Sequence, residues 1–302
     1  MPSAEAPLGP SSFSDYGNPE PEWLSIDWRE HLRRVELPGA AVNYVEIGEG
    51  EPLVFVHGIS SCWQAWLENL PHFGRGHRAI ALDLPGFGKS PMPSWEIDIP
   101  AYGRLLHDFC EKLGVERSPM LVGNSLGGFV AAEAVTAAPG RFDRLVLASA
   151  AGIVNTWNPQ ERAVLISYAW RTFGPAFFSR REAIMRHPRL RQAVFGAFVR
   201  YPNGLRPELL WEQLAGGAES PGFSDALRAA IGHDIRERLP QLRTPTQIVW
   251  GFNDRVIPVQ AALSYHRRIP GSKLEIFERT GHLPQLERPA RFNALLDEFL
   301  SE

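Results

Sequence analysis

The run Gly123-Asn124-Ser125-Leu126-Gly127-Gly128 places a serine between two glycines, with one residue on each side. An apolar, strand-like run, Pro119-Met120-Leu121-Val122, leads into it. A helix-like run, Phe129-Val130-Ala131-Ala132-Glu133-Ala134-Val135, follows. G-x-S-x-G between a strand and a helix is the pattern of a nucleophile elbow. The turn is so tight that a Cβ at 123 or 127 would meet the chain itself, which accounts for glycine there. The serine side chain is then exposed at the strand's carboxyl end. The first amides of the helix point at the same spot, where they can hold an oxyanion. The chemistry this implies is that of a nucleophilic serine.

A serine hydroxyl is a poor nucleophile at neutral pH and needs an adjacent base. The usual base is a histidine held in one tautomer by a carboxylate. His282 is the only histidine after residue 266 and lies in Arg279-Thr280-Gly281-His282-Leu283-Pro284, just past a strand candidate. Asp254 lies in Trp250-Gly251-Phe252-Asn253-Asp254-Arg255-Val256-Ile257-Pro258, just past the preceding one. Ser125, Asp254 and His282 follow the chain order of hydrolases built on a doubly wound sheet. Asp225 and Asp234 also lie between Ser125 and His282, though neither directly follows a strand candidate. Asp254 could alternatively cap a helix beginning near Val259. After the sixth strand the chain reads Ser149-Ala150-Ala151, with no carboxylate.

An oxyanion hole needs two amides. The expected donors are the amide of Leu126, just after the nucleophile, and that of Ile59, in the loop His57-Gly58-Ile59-Ser60-Ser61. Gly58 lets that backbone approach closely. His57 reads as a brace for the loop, since His282 already fills the role of base. Trp63, Trp157, Phe173 and Val256 are the residues expected to face substrate.

These residues need a scaffold. Arg33–Leu37 and Ala41–Ile47 alternate polar with apolar around Pro38-Gly39, which predicts an antiparallel hairpin. Strand candidates follow at Leu53–Val56, Ala79–Leu82, Met120–Val122, Leu145–Ala148, Gln247–Trp250 and Leu274–Phe277. Helical patterns such as Tyr102–Leu113 and Leu126–Ala138 separate most of them. Buried strands alternating with helices predict an α/β fold with a mostly parallel, doubly wound sheet. Such sheets bind ligands at the strands' carboxyl ends. Residues 152–238 break the alternation and are rich in helix formers and large aromatics, which predicts a helical cap. The core is then 23–151 with 239–302. Residues 1–22, with five prolines among Ser, Gly and Glu, read as a flexible tail.

Bulk properties exclude several classes. The net charge of −3 gives no reason to expect nucleic acid or an anionic membrane as partner. No uncharged apolar run reaches the roughly 18 residues of a membrane span. No signal peptide is visible, so a cytoplasmic protein is expected. Two cysteines, Cys62 and Cys110, are too few for a disulfide framework and are not spaced as metal ligands. Gly88-Lys89-Ser90 looks like the end of a phosphate loop, but Asp83 stands where that loop needs glycine. His72 and His77 lack a carboxylate or thiol partner in sequence, so no metal is expected.

Together, His57-Gly58, Asp83-Leu84-Pro85-Gly86-Phe87-Gly88-Lys89-Ser90, Gly123–Gly128, the Asp254 loop and Gly281-His282 resemble the α/β-hydrolase superfamily, in its capped esterase and lipase-like branch. The resemblance implies an eight-stranded sheet with a lid, no cofactor and an acyl-enzyme mechanism. Serine at 125 argues against the dehalogenase and epoxide-hydrolase branches, which carry aspartate there. The expected function is hydrolysis of a small, hydrophobic carboxylic ester. A second reading is a hydrolase of carbon–carbon bonds in aromatic ring-fission products, whose elbow is similar. It would need cap cations such as Arg162, Arg171, Arg180, Arg181 or Arg186 for a substrate carboxylate. A third is a small-molecule receptor on the same fold with slow turnover.

Overall fold

The computed structural model describes residues 15–115, 119–153, 181–217 and 220–302. Eight strands form one sheet: β1 (Leu32–Leu37), β2 (Ala40–Ile47), β3 (Glu51–Val56), β4 (His77–Leu82), β5 (Met120–Asn124), β6 (Leu145–Ala148), β7 (Thr246–Gly251) and β8 (Lys273–Phe277). Their spatial order is β1-β2-β4-β3-β5-β6-β7-β8. The hairpin β1–β2 turns at Gly39, whose φ of 71° suits glycine. β2 also runs antiparallel to β4, and every other pair is parallel. The expected α/β class and sheet are therefore present.

β5 and β6 are buried along their whole length because helices cover both faces, which is why they read as unbroken apolar runs. Side chains alternate between faces with period two. Val54 and Val56 enter one core cluster with Phe129 and Trp250. Leu53 and Phe55 enter the other with Trp66 and Phe292. β3 lies between β4 and β5, so the chain passes from β3 to one neighbour, β4, and then crosses back to the other, β5. The crevice at such a switch point is where ligands bind in open α/β sheets.

Helix α1 (Ile99–Lys112) starts earlier than its apolar pattern suggests, because the Asp98 side chain accepts the Ala101 amide and caps it. Helix α2 (Leu126–Ala137) begins on the residue after Ser125. Between β6 and β7 lie α3 (Arg181–Arg186), α4 (Pro188–Phe195), α5 (Pro207–Gly217) and α6 (Phe223–Gly232), with no strand among the described residues. Ile184, Phe195, Val199, Leu205 and Leu210 give this insertion a small core of its own, against which Leu283 packs. The sheet is completed by α7 (Gln260–Arg268) and α8 (Pro289–Leu300).

One expectation needs correction. Within the stretch read as a flexible tail, residues 15–22 are anchored. The Tyr16 hydroxyl donates to Glu287 Oε2 at 2.7 Å, and the Gly17 amide donates to the Glu287 carbonyl at 2.8 Å. Asn18 Nδ2 donates to Glu68 Oε2 at 2.9 Å. Prolines suppress regular structure, but polar partners far along the chain order the segment all the same.

Candidate active site

Ser125 joins β5 to α2 at φ 55° and ψ −117°. A non-glycine residue there costs about 1–3 kcal/mol and persists only where its surroundings impose it. Here the Ser125 amide donates to the Ala148 carbonyl at 3.0 Å, and the Ser125 carbonyl accepts from Phe129 and Ala151. A Cβ on Gly123 would lie 2.4 Å from the Gly127 carbonyl, and one on Gly127 would lie 2.1 Å from the Val56 carbonyl. Both glycines are therefore required by contact. Ser60, Ser149 and Arg279 also have positive φ, in the connections that follow β3, β6 and β8. The strain thus collects at the sheet's carboxyl edge, beside the serine.

Asp254 and His282 meet beyond β7 and β8. His282 Nδ1 lies 2.8 Å from Asp254 Oδ2, with the two side chains 4% and 0% exposed. Asp254 Oδ1 accepts the amides of Val256 and Ile257 at 2.8 and 2.9 Å. Asp254 therefore holds its own loop and does not cap α7. A carboxylate facing Nδ1 keeps the proton on that nitrogen and leaves Nε2 with a free lone pair. Asp225 and Asp234 instead pair with Arg228 and Arg236.

The loops carrying the acid and the histidine are locked together. Asn253 N–H donates to the Thr280 carbonyl at 2.9 Å. Asn124 Nδ2 donates to the His282 carbonyl at 3.3 Å, which ties the elbow to the base. A Cβ on Gly251 would lie 1.9 Å from the Gly281 carbonyl. Gly251→Ala should therefore push the two loops apart, lowering stability by about 2 kcal/mol and reducing turnover. Chemical denaturation and a rate measurement check this; wild-type values in both would mean the loops have slack.

The loop after β3 lies against the elbow. A Cβ on Gly58 would be 3.1 Å from Ser125 Cβ. Neither the Ile59 nor the Leu126 amide donates to any described residue.

His57 is fully buried. Its Nδ1 donates to the Gly58 carbonyl at 2.7 Å, and its Nε2 accepts the Leu84 amide at 3.0 Å. Both nitrogens are used in the neutral form, consistent with a brace. Burial pushes this imidazole down from 6.5 to about 4. The folded state then binds fewer protons than the unfolded chain between those values. His57 should therefore cost the fold about 3 kcal/mol as pH falls from 6.5 to 4. Asp83 and Glu287, pushed up by burial to about 6 and about 7, act in the opposite direction. His57→Gln isolates the effect, because the carboxyl contributions cancel. The stability gap between wild type and this variant should narrow as pH falls from 6.5 to 4, and a gap independent of pH would refute the assignment.

Asp83 also explains the phosphate-loop lookalike. Its carboxylate accepts from Trp63 N–H, Lys89 N–H and Asn43 Nδ2, and a Cβ on Gly88 would lie 2.5 Å from it. Trp63 is 6% exposed and packs in the second core cluster against Trp28, so packing accounts for its burial. Val256 lies beside Asp254, partly buried. Trp157 and Phe173 fall outside the described residues.

The model of the alpha/beta hydrolase family matches residues 53–295. The chain belongs to that family. Among its alpha/beta hydrolase relatives is the 2-hydroxy-6-oxo-2,4-heptadienoate hydrolase of Pseudomonas putida, 31% identical over 277 residues, or 89% of this chain and 96% of that one. A 2-hydroxy-6-oxononadienedioate/2-hydroxy-6-oxononatrienedioate hydrolase of a Pseudomonas species is 29% identical over 88% of this chain and 93% of its own. A solved alpha/beta hydrolase, a variant of the meta-cleavage product hydrolase CumD from Pseudomonas fluorescens IP01, superposes with a TM-score of 0.73. It is 25% identical and covers 89% of this chain and 97% of its own. No helix among the described residues is long and apolar enough to cross a membrane.

Two residues that bond to the His282 loop escaped sequence reading. Asn124 was visible inside the elbow, but its bond to the His282 carbonyl was not. Glu287 lies five positions after His282, and its only local signal was that proximity.

Proposed function

We propose that this alpha/beta hydrolase works through Ser125, His282 and Asp254. The observation that carries the reading is the buried 2.8 Å contact between Asp254 and His282, tied through Asn124 to the strained serine. In this reading Ser125 Oγ attacks a carbonyl carbon while His282 Nε2 takes its proton. Asp254 stabilises the imidazolium. The Ile59 and Leu126 amides hold the oxyanion; losing one such donor costs about 10²–10³ in turnover. His282 then returns its proton to the leaving group and activates water to free the acyl part. No step calls on a cofactor.

For the substrate, the relatives' names favour the second of the expected classes. A 6-oxo dienoate has no ester, so hydrolysis at its ketone must break a carbon–carbon bond. Overall, water's hydroxyl goes to the carbonyl carbon and its proton to the departing fragment. The departing chain takes the electron pair in its 2-oxo tautomer, formed by moving the enol proton to the departing carbon: its conjugated carbonyl becomes the enolate oxygen, which picks up the proton and leaves the dienol as product. We therefore rank a ring-fission ketone first. A hydrophobic carboxylic ester is second, favoured by the oxyanion loop Gly58-Ile59-Ser60-Ser61, which has a single glycine. Kinetics on a 2-hydroxy-6-oxo dienoate beside p-nitrophenyl esters from acetate to palmitate decide between them. The ranking predicts a higher kcat/KM on the dienoate, and faster turnover of any ester reverses it.

A further inference from the structure

Directly after the His282 loop, a carboxylate is buried completely. Glu287 closes a short helical turn, Pro284–Glu287, and has no exposed surface. Its Oε1 accepts the Gly281 amide at 2.9 Å and the Leu283 amide at 3.3 Å. These two amides flank His282. Its Oε2 accepts the Arg200 amide at 2.7 Å and the Tyr16 hydroxyl at 2.7 Å. Arg200 belongs to the helical insertion and Tyr16 to the N-terminal segment. The same stretch of the insertion accepts the His282 amide itself, at the Phe198 carbonyl, 2.7 Å away. Gly281 has no room to spare: a Cβ there would lie 2.6 Å from the Phe198 carbonyl and 2.9 Å from Glu287 Oε1.

We propose that Glu287 is the positioning residue of the base, clamping the His282 loop to the insertion and to Tyr16 so that the imidazole is held at the serine. The proposal rests on the reading of Ser125 and His282 as nucleophile and base. Every group around the carboxylate is a donor, three amides and one phenol, so the site needs an acceptor on both oxygens. Burial pushes Glu287 up while these donors pull it down, and the phenol in turn accepts the Tyr201 amide at 2.9 Å. Arg288 supports the assembly from behind. Its Nε donates to Thr280 Oγ1 at 3.0 Å, its guanidinium lies over the Tyr16 ring, and it pairs with Asp15. The insertion and the catalytic base thus share one buried anchor, and neither can shift without the other.

A carboxamide keeps the shape but sets N–H against N–H. Glu287→Gln should lower kcat by about 10- to 100-fold, the cost of misplacing a reacting group by roughly 1 Å, with KM nearly unchanged. Tyr16→Phe removes one donor and should lower kcat by about 3- to 10-fold. The decisive readout is the labelling of the full-length protein by a fluorophosphonate that reacts with an activated serine. Mispositioning slows the labelling rate while the final labelled fraction stays at the wild-type level. A purely structural role would lower the fraction and leave the rate unchanged, and that result overturns the proposal. If Glu287→Gln does not fold, Tyr16→Phe decides alone, and a wild-type labelling rate there overturns it. Ser125→Ala is the control: if it still labels at wild-type rate, the nucleophile reading fails instead.

Discussion

Ser125→Ala is expected to lower turnover by about a millionfold, the scale on which loss of a triad nucleophile acts. The residual rate would come from the oxyanion donors and binding, which no longer have an alkoxide to assist. The variant should fold, because Ser125 Oγ makes no capping bond to α2. The backbone gives a second, independent signature. At φ 55° an alanine keeps the strain and a glycine releases it. Ser125→Gly should therefore be more stable than Ser125→Ala by about 1 kcal/mol, and equally inactive. Rates on the preferred substrate, together with denaturant midpoints for the pair, check both halves. A Ser125→Ala enzyme within a hundredfold of wild type would end the assignment. Equal midpoints would mean that the elbow stores no strain.

Asp254→Asn should cost about 10⁴ in kcat with the fold intact. The two oxygens of Asp254 have separate duties. Oδ1 holds the loop through Val256 and Ile257, and Oδ2 faces His282. An asparagine can keep its oxygen on the amides, but its nitrogen then faces Nδ1. That nitrogen must become an acceptor, so the proton moves to Nε2 and the base is lost. Asp254→Ala would add a structural cost, since the buried Ile257 amide and the partly buried Val256 amide would lose their acceptor. Asp225→Asn and Asp234→Asn should stay close to wild type, because both carboxylates serve surface ion pairs. Activity of Asp254→Asn within tenfold of wild type would mean the acid lies elsewhere.

Much of the scaffold was legible in the chain. All six apolar strand candidates and the hairpin appear as strands, and the helix after the elbow starts where the glycines require. Burial on both faces leaves a local trace, an unbroken apolar run such as Leu53–Val56, so such strands can be read without their neighbours. Helix α1 shows the limit. Its apolar stripe starts late, and the cap at Asp98 sets its true beginning. The N-terminal segment shows a sharper one. Proline and serine content suggested looseness, while Tyr16 is held by a carboxylate 271 positions away. Composition reports what a segment lacks locally; it says nothing of a distant partner.

The sequence by itself determined the serine, the order of its partners and the type of sheet, because each rests on contacts between near neighbours or on a simple repeat. Gly123 and Gly127 are needed by a turn a few residues long. Serine at 125, in place of aspartate, set the class of chemistry proposed here. Only the tertiary structure decided which carboxylate faces the histidine, since four aspartates, Asp143, Asp225, Asp234 and Asp254, stood between Ser125 and His282 and pairing depends on which loops meet beyond β7 and β8. Only the fold showed that Asn124 and Glu287 bond to the backbone of the His282 loop. Their partners come from the elbow, the insertion and the N-terminal segment, elements that come together only when the sheet closes its core. A buried carboxylate takes its meaning from the donors aimed at it, and those donors are scattered along the chain from Tyr16 to Leu283.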